Sequence, residues 1–156
     1  VDEPSAALNL SMSDPSFKCY LMDTGLLISL AFKDRPILEN DLYKQILLDR
    51  LQVNEGMLIE NLVSQCLRAN GHPSYFYLER NSATRKTTLE IDFLIRQNKK
   101  IVPIEVKSSS SSSIKSLERF KEKYGSRIAD GIVLHHGELK REGTVVFLPY
   151  FMACVL

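Results

Sequence analysis

Two short runs of alternating apolar and polar residues lie back to back in residues 89–107, and they constrain the fold more than any other stretch of the chain. In each run an apolar residue occupies every second position, which is the period of a half-buried β-strand. The apolar positions are Ile91, Phe93 and Ile95 in the first run and Val102, Ile104 and Val106 in the second. The polar pair Asn98-Lys99 between the runs favours a two-residue turn. The stretch is therefore predicted to be a β-hairpin in which each strand has one apolar face.

A turn at Asn98-Lys99 determines which residues of the two strands lie opposite each other. Asp92 is then opposite Glu105, Glu90 is opposite Lys107, and opposite residues point to the same face of a sheet. Two carboxylates about 5 Å apart repel each other unless a cation lies between them. Mg²⁺ or Mn²⁺ suits such oxygen ligands, and Mg²⁺ is commonly held by one or two carboxylates with water and phosphate oxygens. The pattern predicts a divalent metal site at Asp92 and Glu105, with Lys107 beside it to stabilise charge on a phosphate.

An exposed hairpin face would explain the same charges without a metal. Glu90 would then be solvated, and Glu105 and Lys107 would form at most a weak surface ion pair. The second run argues for the metal site, because Val102, Ile104 and Val106 are typical of a buried strand, where a charge needs a partner. Both interpretations stay open at this point.

Composition predicts a soluble protein with a single globular domain. The chain has 156 residues, of which 44% are hydrophobic and 25% charged, and residues 1–17 have the composition of a linker ahead of a domain over residues 18–156. The net charge of +1 gives no general attraction to nucleic acid, so any such affinity must come from a local patch. Three widely spaced cysteines predict reduced core thiols in a cytoplasmic protein, and no apolar run is long enough to span a membrane.

Hydrophobic periodicity gives the order of the other elements. We predict a strand over 18–22, helices over 26–31, 40–51, 54–69 and 114–124, and strands over 73–78, 131–135 and 144–148. With the hairpin, the central order is α-β-β-β-α-β. This order predicts an α/β (α+β) domain with a mixed central sheet flanked by helices.

Two segments outside the hairpin carry further candidate residues. In the helix over 54–69, Glu60 falls at the edge of the buried arc, while Asn61, Ser64 and Arg68 are predicted to face solvent. Five basic residues in a loop and on the helix over 114–124 are candidates for contact with a phosphate backbone. They are Arg80, Arg85, Lys86, Lys115 and Lys121. Loops of this kind are also often merely solvated.

Asp92, twelve intervening residues and Glu105-Val106-Lys107 resemble the signature of the PD-(D/E)XK nuclease superfamily, with Ile91 in place of the proline. Together with residues 20–26 and Glu60-Asn61, this run resembles the nuclease-like domain of unknown function that follows the ATPase module in many bacterial and archaeal AAA-type ATPases. The resemblance covers roughly residues 18–150. It implies a restriction-endonuclease-like fold and a catalytic site of Asp92, Glu105, Lys107 and Glu60, in which Glu60 is a further metal ligand. An ordinary exposed helix glutamate is the alternative for Glu60.

Two functions follow from these observations and the resemblance. In the first, the domain is a Mg²⁺-dependent or Mn²⁺-dependent endonuclease that hydrolyses phosphodiester bonds of nucleic acid, DNA being favoured. In the second, it is an inactive nuclease-like module that binds nucleic acid or protein and serves an AAA-type ATPase domain in the same polypeptide. The sequence contains no P-loop, so these residues alone cannot hydrolyse ATP.

Overall fold

A computed structural model of the chain describes residues 16–31, 55–108 and 114–156. The helices are α1 (Thr24–Ala31), α2 (Glu55–Ala69) and α3 (Lys115–Tyr124). The strands are β1 (Tyr75–Arg80), β2 (Thr87–Gln97), β3 (Lys100–Val106), β4 (Gly131–His135), β5 (Lys140–Glu142) and β6 (Val145–Pro149), and 3₁₀ turns cover Gly125–Arg127 and Tyr150–Val155. The predicted helix over 40–51, and the predicted linker up to residue 15, lie outside the described residues.

The six strands form one mixed sheet in the order β1-β2-β3-β4-β6-β5. Strand β2 pairs antiparallel with both β1 and β3. Strand β4 pairs parallel with both β3 and β6, and the edge strand β5 pairs antiparallel with β6. The run from α2 to β4 has the predicted order α-β-β-β-α-β. The predicted mixed sheet flanked by helices is thus confirmed, while the edge strand β5 was not predicted.

Each face of the sheet carries its own hydrophobic core. On one face, Leu117 and Phe120 of α3 pack against strand residues that include Ile91 and Leu94. On the other face, helix α2 contributes Val63 and Leu67, which belong to a core with Phe93, Ile95 and Ile104. The predicted sheet-facing residues of the helix over 114–124 are confirmed, because Leu117 and Phe120 are buried and Ile114 and Tyr124 pack beside them. Burying each such side chain stabilises the fold by about 1.5–3 kcal/mol.

Helix α2 differs from the sequence prediction on its polar side. Asn61 and Ser64 were predicted to face solvent, yet they are only 2% and 3% exposed, whereas Leu62 is 45% exposed. The helix pattern cannot reveal the partners of these side chains: the chain around Leu21 lies against Asn61, and Ser64 Oγ lies 3.3 Å from Ser74 Oγ. The Asn61 side chain accepts a hydrogen bond from Leu21 N at 2.8 Å and donates to Leu21 O at 3.2 Å.

The same contact explains why the predicted strand over 18–22 is wrong. Residues 16–21 have no regular secondary structure, and Met22 lies in a bend. The backbone N–H and C=O of Leu21 are satisfied by the Asn61 amide rather than by a neighbouring strand. A segment with strand-like composition therefore lies across a helix, and it ends where α1 begins at Thr24.

Candidate functional site

The predicted turn and register of the hairpin are confirmed, and the paired ladder ends just before the predicted site. Strand β2 ends at Gln97, β3 begins at Lys100, and the pairs run from Gln97 with Lys100 to Phe93 with Ile104. Asp92 and Glu105 would be the next pair. Because the ladder stops one step earlier, it does not by itself place these two carboxylates on one face.

A β-bulge in β2 sets the position of Asp92. Tyr75 of β1 pairs with Leu94, but Tyr77 pairs with Ile91, so two steps along β1 correspond to three along β2. Ile91 consequently packs in the core under α3 while Phe93 packs in the core under α2. The prediction that Ile91 shares a face with Phe93 and Ile95 is therefore wrong. Bulges redirect a side chain and interrupt pairing, and this one frees the Asp92 carboxylate from the regular alternation.

The Asp92 carboxylate connects β2 to two other parts of the chain. Its Oδ2 accepts a hydrogen bond of 2.9 Å from Val106 N, where a backbone carbonyl would stand in a longer ladder. Its Oδ1 lies 3.2 Å from Lys18 Nζ in the segment over 16–22. The carboxylate thus ties the end of β3 to the segment that lies on α2.

Lys18 is the centre of a cluster of three carboxylates. Its Nζ lies 2.9 Å from Glu60 Oε1 on α2, 2.9 Å from Glu90 Oε1 on β2 and 3.2 Å from Asp92 Oδ1. Burial alone would lower the pKa of Lys18, but the charge of Asp92 and the hydrogen bonds to Glu90 and Glu60 together raise it above its ordinary value. Lys18 therefore stays charged and supplies the positive charge that three neighbouring carboxylates require.

The Lys18 segment is held in place by polar contacts to α2. Tyr20 donates a hydrogen bond to Glu60 Oε1 at 2.5 Å, and its ring packs 5.4 Å from that of Phe93. Burial, followed by the hydrogen bond to Glu60, raises the pKa of the Tyr20 hydroxyl, which stays protonated and donates. Asn61, next to Glu60, donates to Thr24 Oγ1 at 3.0 Å as well as fixing Leu21.

Glu105 and Lys107 form a second, more buried pair at the end of β3. Glu105 is only 3% exposed, and its Oε2 lies 2.5 Å from Lys107 Nζ. Burial, together with the charges of Asp92 and Glu90, raises the pKa of Glu105 to about 7 despite the opposing effect of Lys107. Burial would lower the pKa of Lys107, but the hydrogen bond and charge of Glu105 raise it. Glu105 is thus a carboxylate that gains and loses its proton near neutral pH.

Three backbone contacts position the Lys107 end of this pair. Lys107 N donates to Leu134 O of β4 at 2.9 Å, and the Tyr150 hydroxyl donates to Lys107 O at 2.5 Å. Asp92 Oδ2 holds the preceding amide, that of Val106. The end of β3 is therefore fixed by its neighbours β2 and β4 and by the C-terminal 3₁₀ turn.

The structure brings one of the five predicted phosphate-contacting residues to this cluster. Arg80 shares a polar cleft of about 370 Å³ with Lys18, Glu90 and Phe76. Arg85 and Lys86 are exposed in the loop that precedes β2, and Lys115 is the first residue of α3.

Lys121 lies elsewhere on the domain. Its Nζ is 3.0 Å from Asp130 Oδ1, and Asp130 precedes β4. Lys107 contacts β4 at Leu134, four residues further on, which is about 13 Å along an extended strand. The structure therefore does not bring Lys121 to the carboxylates.

The donor set tests whether a divalent ion suits the site. Asp92 and Glu105 offer the carboxylate oxygens that Mg²⁺ and Mn²⁺ prefer. Burial, followed by the charge of Asp92, raises the pKa of Glu105, so the charged form that a metal ion requires is disfavoured without an added positive charge. Within residues 16–31, 55–108 and 114–156, no group of three or more His, Cys, Asp or Glu side chains is arranged to hold a metal together. The two carboxylates are thus the right kind of ligand for a divalent ion, but both Asp92 oxygens already accept hydrogen bonds, from Lys18 Nζ and Val106 N, and Glu105 pairs with Lys107.

Sequence reasoning missed Lys18, Tyr20 and Asn61 as members of the site. Lys18 and Glu60 are separated by 42 positions, and Lys18 and Asp92 by 74, so no local period connects them. The only signal in the sequence was Asn61, a polar residue that follows Glu60 beside the apolar arc of the helix. A polar residue in that position is normally interpreted as solvent-exposed, so the signal was not recognised.

The fold and this cluster define an α/β domain with a carboxylate and lysine site at the end of its central hairpin. Residues 55–151 match a family described as "Domain of unknown function (DUF4143)". The match covers more than half of the 156 residues, so the chain belongs to this family. No curated protein and no solved structure was found to match the chain. In the described part of the chain, every helix is too short or too polar to cross a membrane.

Proposed function

We propose that this domain hydrolyses phosphodiester bonds of nucleic acid with the help of a divalent metal ion held by Asp92 and Glu105. The single observation that carries the proposal is the state of Glu105, which is almost fully buried, close to the charge of Asp92, and has a pKa raised to about 7. Perturbed titratable groups of this kind concentrate at functional sites. The resemblance of Asp92 and Glu105-Val106-Lys107 to the PD-(D/E)XK signature supports the same assignment.

Each side chain has a distinct role in this proposal. Asp92 and Glu105 would hold the ion, aided by Glu60, which approaches the same cluster from α2. A bound Mg²⁺ or Mn²⁺ lowers the pKa of a water molecule and stabilises charge on phosphate oxygens. Lys107 carries a fixed positive charge beside Glu105, where it can stabilise charge that develops on a phosphate. Arg80 provides a cation in the adjoining cleft for the nucleic acid backbone.

The second candidate is a nuclease-like module that does not cut and serves an AAA-type ATPase domain in the same polypeptide. The observation that favours it is Lys18, whose ammonium lies within 3.2 Å of Glu60, Glu90 and Asp92. An internal cation satisfies these carboxylates without a metal ion. Such a module would bind nucleic acid or protein through the same surface.

Metal binding and cleavage by three variants separate the two candidates. Lys107→Ala should keep Mn²⁺ affinity and lose about 10²–10³-fold in cleavage rate, because one positioned charge commonly contributes that much in a transition state. Asp92→Asn should weaken Mn²⁺ binding at least about tenfold, since it removes one of two carboxylate ligands. Lys121→Ala is the matched control and should change neither quantity, because Lys121 pairs with Asp130 away from the site.

The measurements are titration calorimetry with Mn²⁺ and cleavage of supercoiled, linear, branched and single-stranded substrates. Wild-type protein that binds Mn²⁺ but cuts none of these would support the non-cutting module. Equal losses in Lys107→Ala and Lys121→Ala would contradict the role given to Lys107.

A further inference from the structure

Two of the three cysteines lie side by side on the face of the domain that carries α2. Cys66 Sγ on α2 is 3.0 Å from Cys154 Sγ in the C-terminal 3₁₀ turn, although the residues are 88 positions apart. Cys66 is partly exposed and Cys154 is exposed. The sequence prediction of core thiols is therefore wrong for Cys154, whereas Cys66 packs against the core that α2 covers.

The surrounding contacts hold the two thiols together. Asn70, the residue after α2, donates from its Nδ2 to Ala153 O at 3.4 Å, and the ring Nε2 of His72 lies 3.1 Å from Leu156 O. Ala153, next to Cys154, is fully buried in the core that α2 covers. A disulfide requires an S–S separation of about 2.05 Å, so the sulfurs need to approach by only about 1 Å.

We propose that Cys66 and Cys154 form a reversible modification site that a small-molecule disulfide oxidises to an intramolecular disulfide. The exposed Cys154 thiolate attacks one sulfur of the reagent, forms a mixed disulfide and releases the first thiol. Cys66 then gives up its proton and attacks Cys154 Sγ, which breaks the mixed disulfide and releases the second thiol. One reagent disulfide is reduced to two thiols, which receive the two protons, and one protein disulfide is formed.

The order of attack follows from exposure and charge. Burial and the neighbouring Cys154 thiol raise the pKa of Cys66 to about 11, so Cys66 is a poor first nucleophile at neutral pH. Of the two thiols, Cys154 is the more exposed to an external reagent. Once Cys154 is in the mixed disulfide, the short distance between the sulfurs favours closure over a second external attack.

The disulfide would fasten the C-terminal turn to α2. That turn includes Tyr150, whose hydroxyl holds the Lys107 carbonyl at the end of β3. Oxidation would therefore restrain the same 3₁₀ turn that positions Lys107 at the end of β3. This inference does not depend on the proposed function, because it rests only on the two sulfurs and their neighbours.

The test is oxidation of the full chain with oxidised glutathione, followed by thiol titration and intact mass. Because Cys19 is also exposed and reacts with glutathione, the pair is tested in the Cys19→Ser protein. Cys19→Ser should fall from two free thiols to none and lose the mass of two hydrogen atoms, whereas the same protein with Cys154→Ser should form no intramolecular disulfide. The oxidised wild type should also melt about 5 °C or more above the reduced form, because the bridge closes a long loop.

Several results would overturn the proposal. A glutathione adduct that persists on Cys154 would show that Cys66 does not reach it. Retention of both thiols in Cys19→Ser, or a crosslink that peptide mapping assigns to Cys19 or to a second chain, would contradict the pairing. Unchanged melting of the mapped Cys66–Cys154 form would contradict the fastening of the C-terminal turn.

Discussion

Among single residues, Glu105 is the clearest case of a charged group that burial destabilises. It is almost inaccessible to water, and its charged form is stabilised by Lys107 but opposed by burial and by Asp92 and Glu90. The balance raises its pKa from 4.5 to about 7. In the folded protein, ionised Glu105 is therefore less stable than an ionised glutamate in water.

The stability of the protein should consequently fall as the pH rises from about 4.5 to about 7. In this window the folded state holds a proton on Glu105 that the unfolded state has lost, so the free energy of unfolding decreases by up to about 1.4 kcal/mol per pH unit. Glu105→Gln removes this titration and should flatten the dependence. Urea unfolding at pH 5, 6, 7 and 8 measures the slope for both proteins.

Glu122→Gln is the control for that comparison, because Glu122 is exposed on α3. It should leave the slope unchanged. The same slope in Glu105→Gln and wild type would contradict the assignment of this titration to Glu105.

Among the secondary-structure elements, helix α2 is the one that connects the site to the core. One side buries Val63 and Leu67, and consecutive residues at its rim, Glu60 and Asn61, contact Lys18 and Leu21 respectively. The helix therefore holds the segment over 16–22 in place and presents one of the three carboxylates around Lys18. Asn61 positions that segment without contacting the carboxylates.

Asn61→Ala should destabilise the protein by about 2 kcal/mol, because three hydrogen bonds to Leu21 and Thr24 are lost and the Leu21 backbone is left without these partners. Arg68→Ala, an exposed change on the same helix, should cost less than about 0.5 kcal/mol. Urea unfolding of both variants gives the comparison. Equal and small effects would mean that the segment does not depend on Asn61.

The sequence predicted those parts of the hairpin that depend on neighbouring residues. Its turn and the pairing of Phe93 with Ile104 follow from local alternation and are confirmed. The bulge at Asp92 could not be predicted from the hairpin. Strand β2 pairs in regular register with β3, and its extra residue appears only in the pairing with β1, whose register the sequence does not specify. The alternation of apolar residues continues through the bulge, so the sequence does not mark the change of face at Ile91.

At the scale of the whole molecule, the unpredicted part of the site comes from contacts between distant segments. Lys18 is an ordinary lysine in sequence and acquires its role only when α2 and β2 bring Glu60, Glu90 and Asp92 to it. The order α-β-β-β-α-β was predictable because each element shows its own period. Which cation satisfies these carboxylates depends on the tertiary structure.

The long separations around Lys18 also have a consequence for the rate at which the protein unfolds. Its three partners lie 42 to 74 positions away, so its contacts form only after α2 and β2 have come together. Lys18→Met should therefore accelerate unfolding and change the folding rate less than about twofold, as expected for a residue with a φ-value near zero. Lys86→Met, in the exposed loop before β2, is the control and should alter neither rate.

Stopped-flow folding and unfolding in urea measures both rates. Slower folding of Lys18→Met with an unchanged unfolding rate would mean that the contact is already present in the transition state. With the expected result, Lys18 sets how long the folded domain lasts and has little influence on how fast it forms.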